Sequence, residues 1–385
     1  MKFIHTADWH LGKIVHGVHM TDDQRHILNE FIEIVKEEQP DAVIIAGDLY
    51  DKSISPTEAI ELLNDVLQTI VIDYKIPVLA IAGNHDSAER IEFGSNFMKK
   101  EGLYIVGKFQ SPFKKVILND QYGEVHFYLI PYAEPSIVRY VLQNEDIHSH
   151  DQAMKAIVDK IVEEELDPNA RNVFVGHAFV TNNGEPSNEE TEGERTLSIG
   201  GAEYVSHRYF NHFHYTALGH LHRAHFVGNQ SIRYAGSPLK YSLSEENHKK
   251  GCFVVELNEN GEVSIGKREL IPIRDLRTVE GTIDEIRKHP MCDDYVFVKL
   301  TDEHLVLQPM EQIRTVYPNA MHVSRKREIK NQLDPEDRIL SIEKQTRNQH
   351  ELFQSFYKEM TNEDLGEENE QFMKELLNEI FVKGE

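Results

Sequence analysis

The chain has 385 residues, 40% hydrophobic and 28% charged, with a formal net charge of −24. That length exceeds one compact core and suggests two domains with an appendage, and the composition is that of a globular protein. The acidic balance argues against a chain that holds nucleic acid by its own charge, since phosphate contacts need Lys and Arg. Metal ions or a basic partner would have to supply the positive charge.

No apolar run approaches the length that crosses a bilayer, so no membrane association is expected. Residues 1–5 lead straight into a strand pattern with no export signal. The two cysteines, Cys252 and Cys292, lie outside every motif, which suggests a reduced, cytoplasmic protein.

In chain order, residues 3–7 read as a strand delivering Asp8-Trp9-His10, with Asp8 and His10 on one side by period-two alternation. Residues 21–39 read as an amphipathic helix, opened by a Thr21/Gln24 capping box and buried through Ile27, Leu28, Phe31, Ile32 and Val35. A second strand over 41–46 ends in Gly47-Asp48-Leu49-Tyr50-Asp51. Ser55-Pro56-Thr57-Glu58 opens the next helix, with Ser55 as N-cap and Pro56 at the first helical position. Residues 78–82, a short apolar run between Pro77 and Gly83, form a buried strand that turns into Asn84-His85-Asp86. Strand, helix, strand, helix, strand implies parallel pairing with right-handed crossovers.

Beyond residue 103 the pattern changes. Residues 116–118 and 125–130 flank a hairpin loop over 119–123, and helices are expected near 135–142 and 151–165. A strand over 172–175 carries Gly176-His177, an acidic loop spans 181–196, and a strand over 213–218 ends in Gly219-His220-Leu221-His222. With segments 232–235, 253–257 and 263–267, this half reads as antiparallel β. The expected fold class is therefore α/β, with two packed sheets flanked by helices. Residues 271–274 read as a linker, 276–339 as a small strand-helix-strand-helix-strand unit, and 341–385 as an acidic helical tail. The expected domains are 1–270, 271–340 and 341–385.

Asp8, His10, Asp48, Asn84, His177, His220 and His222 all follow apolar strands, most of them beside glycine, which lets backbone and ligand approach closely. One such histidine alone reads as a hydrogen-bonded structural residue; five strand-end clusters in one chain do not. Imidazole, carboxylate and amide oxygen together suit Mn, Fe or Zn better than Mg or Ca. Seven ligands are too many for one ion and suit two. Asp48 is the natural bridge, because a carboxylate can give one oxygen to each ion.

The order D-x-H, G-D, G-N-H-D, G-H, G-H-x-H resembles the calcineurin-like metallophosphoesterase superfamily across residues 1–270. Within it, T-A-D-W-H-L-G (6–12), A-G-D-L-Y-D (46–51), A-L-G-H-L-H-R (217–223) and Y-A-G-S-P-L (234–239) are similar to the SbcD nuclease family. The resemblance implies a two-sheet metallophosphoesterase sandwich holding two Mn²⁺ ions, with Mg²⁺, Fe²⁺ or Zn²⁺ as alternatives. It places Asp8, His10, Asp48 and His222 on one ion, and Asp48, Asn84, His177 and His220 on the other. It further implies a 3′–5′ exonuclease on duplex DNA and an endonuclease on single strands and hairpins. Such a nuclease would act with an SbcC-like SMC-family ATPase in DNA repair and recombination. Residues 276–339 would be a DNA-capping domain, and segments 62–72 and 93–98, which patterning alone reads as core-packing helices, would make a homodimer contact within a heterotetramer.

The expected catalytic residues are His85, Asp48 and Asn84. His85, beside Asn84 but not needed as a ligand, is expected to stabilise the phosphate and protonate the leaving oxygen. Asp86 has two open roles, orienting that imidazole or capping the turn. Asp51 departs from relatives that carry a histidine there, which leaves its substrate-facing role open.

In the tail, Leu352, Phe353, Phe356, Tyr357 and Met360, then Phe372, Met373, Leu376, Leu377, Ile380 and Phe381, make two helical apolar stripes suited either to folding back on the chain's own core or, the favoured reading, to a groove on the ATPase. The alternatives are a phosphatase or small-molecule phosphodiesterase, or a non-catalytic scaffold. A small substrate needs neither the 276–339 unit nor the tail, and a scaffold needs neither the ligand set nor His85.

Overall fold

The structure, a computed structural model, describes residues 1–182 and 204–325 and, in the tail, 353, 354, 357, 366, 369–373 and 376. It divides into two compact units, Met1–Arg325 and Lys326–Glu385. The acidic loop beyond residue 182 and most of the two tail stripes lie outside the described residues; the tail positions that are described are helical except Gly366.

The first sheet has the order Val263–Glu269, Gly251–Leu257, Lys2–Thr6, Ala42–Ala46, Val78–Ile81, Leu103–Val106. Its last four strands run parallel, with Phe3 beside Ala42 and Val43 beside Val78. The strand-helix alternation predicts that pairing. Gly251–Leu257 joins antiparallel to Lys2–Thr6.

The second sheet runs His225–Val227, Asn229–Tyr234, Tyr215–Gly219, Arg171–His177, Gly123–Ile130, Lys114–Asp120. The expected antiparallel half is corrected here for the strands between 123 and 234, whereas 253–257 and 263–267 do pair antiparallel, in the first sheet. The four central strands pair parallel, and only the edge pairs are antiparallel. Between Gly123–Ile130 and Arg171–His177 the helices Pro135–Leu142 and His150–Glu164 carry the chain back across the sheet, which makes a parallel neighbour possible.

Side-chain alternation decides what each sheet face covers. Phe3, Ile44, Ala46, Leu79 and Ile81 meet Phe127, Leu129, Val173, Val175 and Ala217 in the layer between the sheets. There Phe3 makes edge contacts with Phe127 (5.8 Å) and Tyr215 (5.5 Å). Ile4, Val43, Ile45 and Ala80 face the other way, into the core shared with the helices Thr21–Glu38 and Thr57–Leu67. With both faces covered, the strands read as near-continuous apolar runs.

Both expected helix starts are corrected. Met20 is the N-cap of Thr21–Glu38, without a side-chain cap, and the Gln24 side chain is used elsewhere. Its Nε2 donates to the carbonyls of His10 (2.7 Å) and Trp9 (3.3 Å), and its Oε1 accepts the Gly12 N–H (3.0 Å). Pro56, not Ser55, caps Thr57–Leu67, while Ser55 Oγ donates to the Lys52 carbonyl. Ile34 is buried on the first helix, whereas Ile32 packs only partly.

Leu276–Gly281, Tyr295–Leu300 and Ala320–Arg325 form a parallel three-stranded sheet with its own core, including Val279, Ile286, Val298, Ile313 and Tyr317. Tyr295 donates its hydroxyl to Asp23 (2.7 Å), Arg274 pairs with the same carboxylate (3.0 Å), and Phe297 is buried in the core of the first sheet's helical side. Among the described residues, no helix is long and apolar enough to cross a membrane.

Candidate metal centre

The loops after Lys2–Thr6, Ala42–Ala46 and Val78–Ile81 leave the same edge of a parallel sheet, where open α/β folds place their ligands. Backbone bonds join the first two: Asp8 N–H to Gly47 O (3.0 Å), His10 N–H to Asp48 O (3.0 Å) and Leu11 N–H to Leu49 O (2.9 Å). Asp8 (φ 56), His10 (φ 46), Asp48 (φ 52) and His220 (φ 109) are all left-handed. Such conformations cost of order 1–3 kcal/mol each and persist where the surroundings over-determine them, typically at functional sites. The expected strand alternation of Asp8 and His10 is thereby corrected, since the strand ends at Thr6 and a turn places both side chains. Gly83 and Gly47 permit the close approach of the loops. A Cβ at Gly83 would lie 2.1 Å from Asp48 Oδ1, and one at Gly47 would lie 2.2 Å from His177 Nδ1.

Asp48 occupies the middle. Its Oδ2 lies 3.6 Å from His10 Nε2 and 3.3 Å from His177 Nε2, and its Oδ1 accepts the His85 N–H at 2.9 Å. On one side His10 Nε2 and His222 Nε2 face each other at 3.0 Å. On the other, Asn84 Oδ1 lies 2.9 Å from His177 Nε2 and 3.1 Å from His220 Nδ1. Asp8 Oδ1 accepts the His220 N–H (2.9 Å) and lies 3.9 Å from His177 Nδ1. The structure therefore brings all seven sequence-selected residues together, with Asn84 half-buried and the other six buried.

Burial works against a charge on Asp48, but the His177 imidazolium holds its carboxyl well below the usual range. Burial likewise disfavours charging His177, yet the Asp48 carboxylate lifts its pKa to about 9. Asp8 is pushed up to about 7, by burial above all.

The donor set fits divalent cations. Asp8 Oδ2 is buried with no hydrogen-bond partner among the described residues. His10 and His222 present two ring nitrogens to each other, an arrangement a shared cation satisfies. Asp8, Asp48 and His177 offer ligand atoms within 4.8 Å of one another, and so do His10, Asp51 and His85. His177 Nδ1 donates to the Ala46 carbonyl (2.9 Å), which leaves Nε2 to face Asp48 and Asn84.

His85 is half-buried, with its Nδ1 2.8 Å from the Asp51 carbonyl oxygen. Of the two roles open to Asp86, the structure shows the turn cap: it accepts the N–H groups of Gly83 (2.9 Å), Tyr50 (2.9 Å) and Leu49 (3.1 Å). The Asp51 carboxylate pairs with Lys13 (2.8 Å) and lies 3.7 Å from His10 Nδ1.

Sequence reasoning missed a buried group behind His222. Glu245 Oε1 lies 3.1 Å from His222 Nδ1, and Lys250 donates to Glu245 Oε2 (2.5 Å) and to the His222 carbonyl (2.9 Å). Both sit in an irregular stretch where no periodicity marks a buried ion pair, so the chain carried no signal for them. Tyr241, which donates to the Trp9 carbonyl (2.6 Å), was missed for the same reason.

Residues 1–224 match the calcineurin-like phosphoesterase family, and residues 272–361 match the family described as type 5 capsule protein repressor C-terminal domain. A Staphylococcus epidermidis protein, named as the D subunit of the SbcCD nuclease, is 33% identical over 99% of this chain and 99% of its own length. The Staphylococcus saprophyticus protein of the same name is 33% identical over 100% of both chains. The solved structure of TT1561 from Thermus thermophilus aligns at 11% identity and a TM-score of 0.38, over 69% of this chain and 98% of that one. Full-length identity to the two staphylococcal proteins, together with the phosphoesterase match over the metal-site loops, shows that the chain belongs to the SbcD family of metallophosphoesterase nuclease subunits.

Proposed function

We propose that this protein is a Mn²⁺-dependent DNA phosphodiesterase, a 3′–5′ exonuclease on duplex ends and an endonuclease on single strands and hairpins. Asp8, His10, Asp48 and His222 would hold one ion, and Asp48, Asn84, His177 and His220 the other. The observation that carries this reading is the position of Asp48 Oδ2, 3.6 Å from His10 Nε2 and 3.3 Å from His177 Nε2, between the two halves of the site. Two bound ions supply Lewis acidity, acidifying water at the site and neutralising charge on the phosphodiester. The chain's own residues do the rest. Asp48 Oδ1 holds the His85 backbone N–H, Asn84 Oδ1 faces His177 and His220, and His85, held through Nδ1, would as an imidazolium carry at Nε2 the proton for the leaving oxygen.

The net charge of −24 supports a nuclease that does not hold duplex alone. In this reading residues 341–385 dock on an SbcC-like SMC-family ATPase, the 271–340 region caps the DNA, and two copies pair within a heterotetramer. Exposed Phe93 and Phe97, at 85% and 81%, support the pairing surface.

The test is the purified chain with Mn²⁺, offered hairpin DNA and a chromogenic phosphodiester. Metal-dependent hairpin cleavage is the expected result. Turnover of the small diester with intact hairpin would favour a small-molecule phosphodiesterase instead.

A further inference from the structure

Glu245 and Lys250 are a buried ion pair with no place in the chemistry above. Such pairs rarely stabilise a fold, because desolvation offsets their attraction, so their position calls for another explanation. Lys250 is tied at three points: Glu245 Oε2 (2.5 Å), Ser237 Oγ (2.8 Å) and the His222 carbonyl (2.9 Å). Glu245 Oε2 is thus committed to Lys250, and Oε1 is the oxygen that meets His222 Nδ1 at 3.1 Å. A carboxylate only accepts, so Nδ1 must carry the hydrogen. Nε2 then keeps its lone pair, directed at the site it shares with His10.

We infer that Glu245, locked in place by Lys250, is a positioning residue that selects the His222 tautomer able to ligate a metal through Nε2. The inference rests on the metal site proposed above. It gives the arrangement a sharp consequence. In Glu245→Gln the amide oxygen is drawn to the Lys250 donors, so the amide NH₂ faces His222 Nδ1. That nitrogen must then accept, and the hydrogen moves to Nε2, where it blocks the ligand position.

The test measures metal binding and tautomer rather than turnover. The parent chain should hold two Mn²⁺ per chain by elemental analysis, and Glu245→Gln should bind one of them about 10–100-fold more weakly. Adding Lys250→Met should restore binding in part, because the amide can then turn its oxygen to His222; a merely structural role predicts further damage instead. In metal-free protein, the ring-nitrogen NMR signals of His222 should show Nδ1–H in the parent and Nε2–H in Glu245→Gln. Should Glu245→Gln not fold, Glu245→Asp serves: its shorter side chain cannot reach both partners, and binding of one ion should weaken. A glutamine (or, in that case, aspartate) variant with the parent's affinity for both ions overturns the inference, as does an unchanged tautomer. A parent chain that binds fewer than two ions overturns the dinuclear reading, while the NMR comparison still decides the tautomer.

Discussion

His85 and Asp51 are joined side chain to backbone, with His85 Nδ1 2.8 Å from the Asp51 carbonyl oxygen. A carbonyl only accepts, so Nδ1 carries one hydrogen, and the second hydrogen of the imidazolium form sits on Nε2, where it can pass to a substrate oxygen. Metal binding and chemistry should therefore separate at neighbouring residues. His85→Ala should keep two Mn²⁺ per chain while cleavage falls about 10²–10⁴-fold, the usual worth of general-acid help. Asp48→Ala, at the centre of the site, should lose both. Elemental analysis beside a cleavage assay decides it, and metal loss in the His85 variant would make that histidine a ligand.

Asp86 ties two loops together by accepting three backbone N–H groups, those of Gly83, Leu49 and Tyr50. Asp86→Ala leaves those N–H groups without their acceptor, at about 1–3 kcal/mol for a buried unsatisfied donor. Thermal melting should drop accordingly, and both metal affinity and cleavage should weaken together because the Asp48 and Asn84 loops share the cap. An unchanged melting curve would refute this.

How much of this was legible in the chain differs by kind of signal. Strands ending in Asp48, Asn84, His177 and His220 were readable because a short apolar run and a ligand beside glycine are both local features. Parallel pairing in the second sheet was not, because it depends on where the helices Pro135–Leu142 and His150–Glu164 return the chain, a tertiary matter that the hairpin at 114–130 masks. The Gln24 misreading has the same origin. A capping box is a local pattern, and the buried carbonyls of Trp9 and His10 competed for that amide and won. Glu245 and Lys250 were invisible because their partners are brought together by the fold alone.

A pH dependence follows from Asp120, which accepts two hydrogen bonds from Arg171 (2.6 and 2.9 Å) and pairs with the N-terminal ammonium (2.6 Å). Its hydrogen bonds with Arg171, before any other cause, hold its carboxyl well below the usual range. A depressed carboxylate stabilises the fold fully above its unfolded pKa of about 3.9, and that contribution is lost as pH falls towards the folded value. Asp120→Asn should therefore melt below the parent at pH 7, by about 1–3 kcal/mol for the partly buried partners left unpaired. The gap should narrow steadily below about pH 4. A gap independent of pH would show that packing, not charge, is lost.

Isolated protein should bind duplex DNA weakly. Without Mn²⁺ the metal-site carboxylates, part of the net −24, stay uncompensated, and few phosphates can be neutralised. Titration with labelled duplex should show binding that needs Mn²⁺ or the ATPase partner. Tight, salt-sensitive binding by the metal-free chain would contradict the charge argument.

The tail offers the last prediction. Residues 351–385 carry ten acidic and three basic side chains around two apolar stripes. A tail that stabilises its own catalytic domain would bury the apolar side chains there, each worth roughly 1.5–3 kcal/mol, and its removal would lower that domain's melting temperature. A tail that docks on a partner leaves the domain intact when removed. Truncation after Arg347 should preserve the melting temperature and cleavage of short single strands, and should abolish co-purification with the ATPase and ATP-dependent duplex cleavage. If the truncated protein melts many degrees lower and loses all activity, the tail is part of the domain and the docking reading fails.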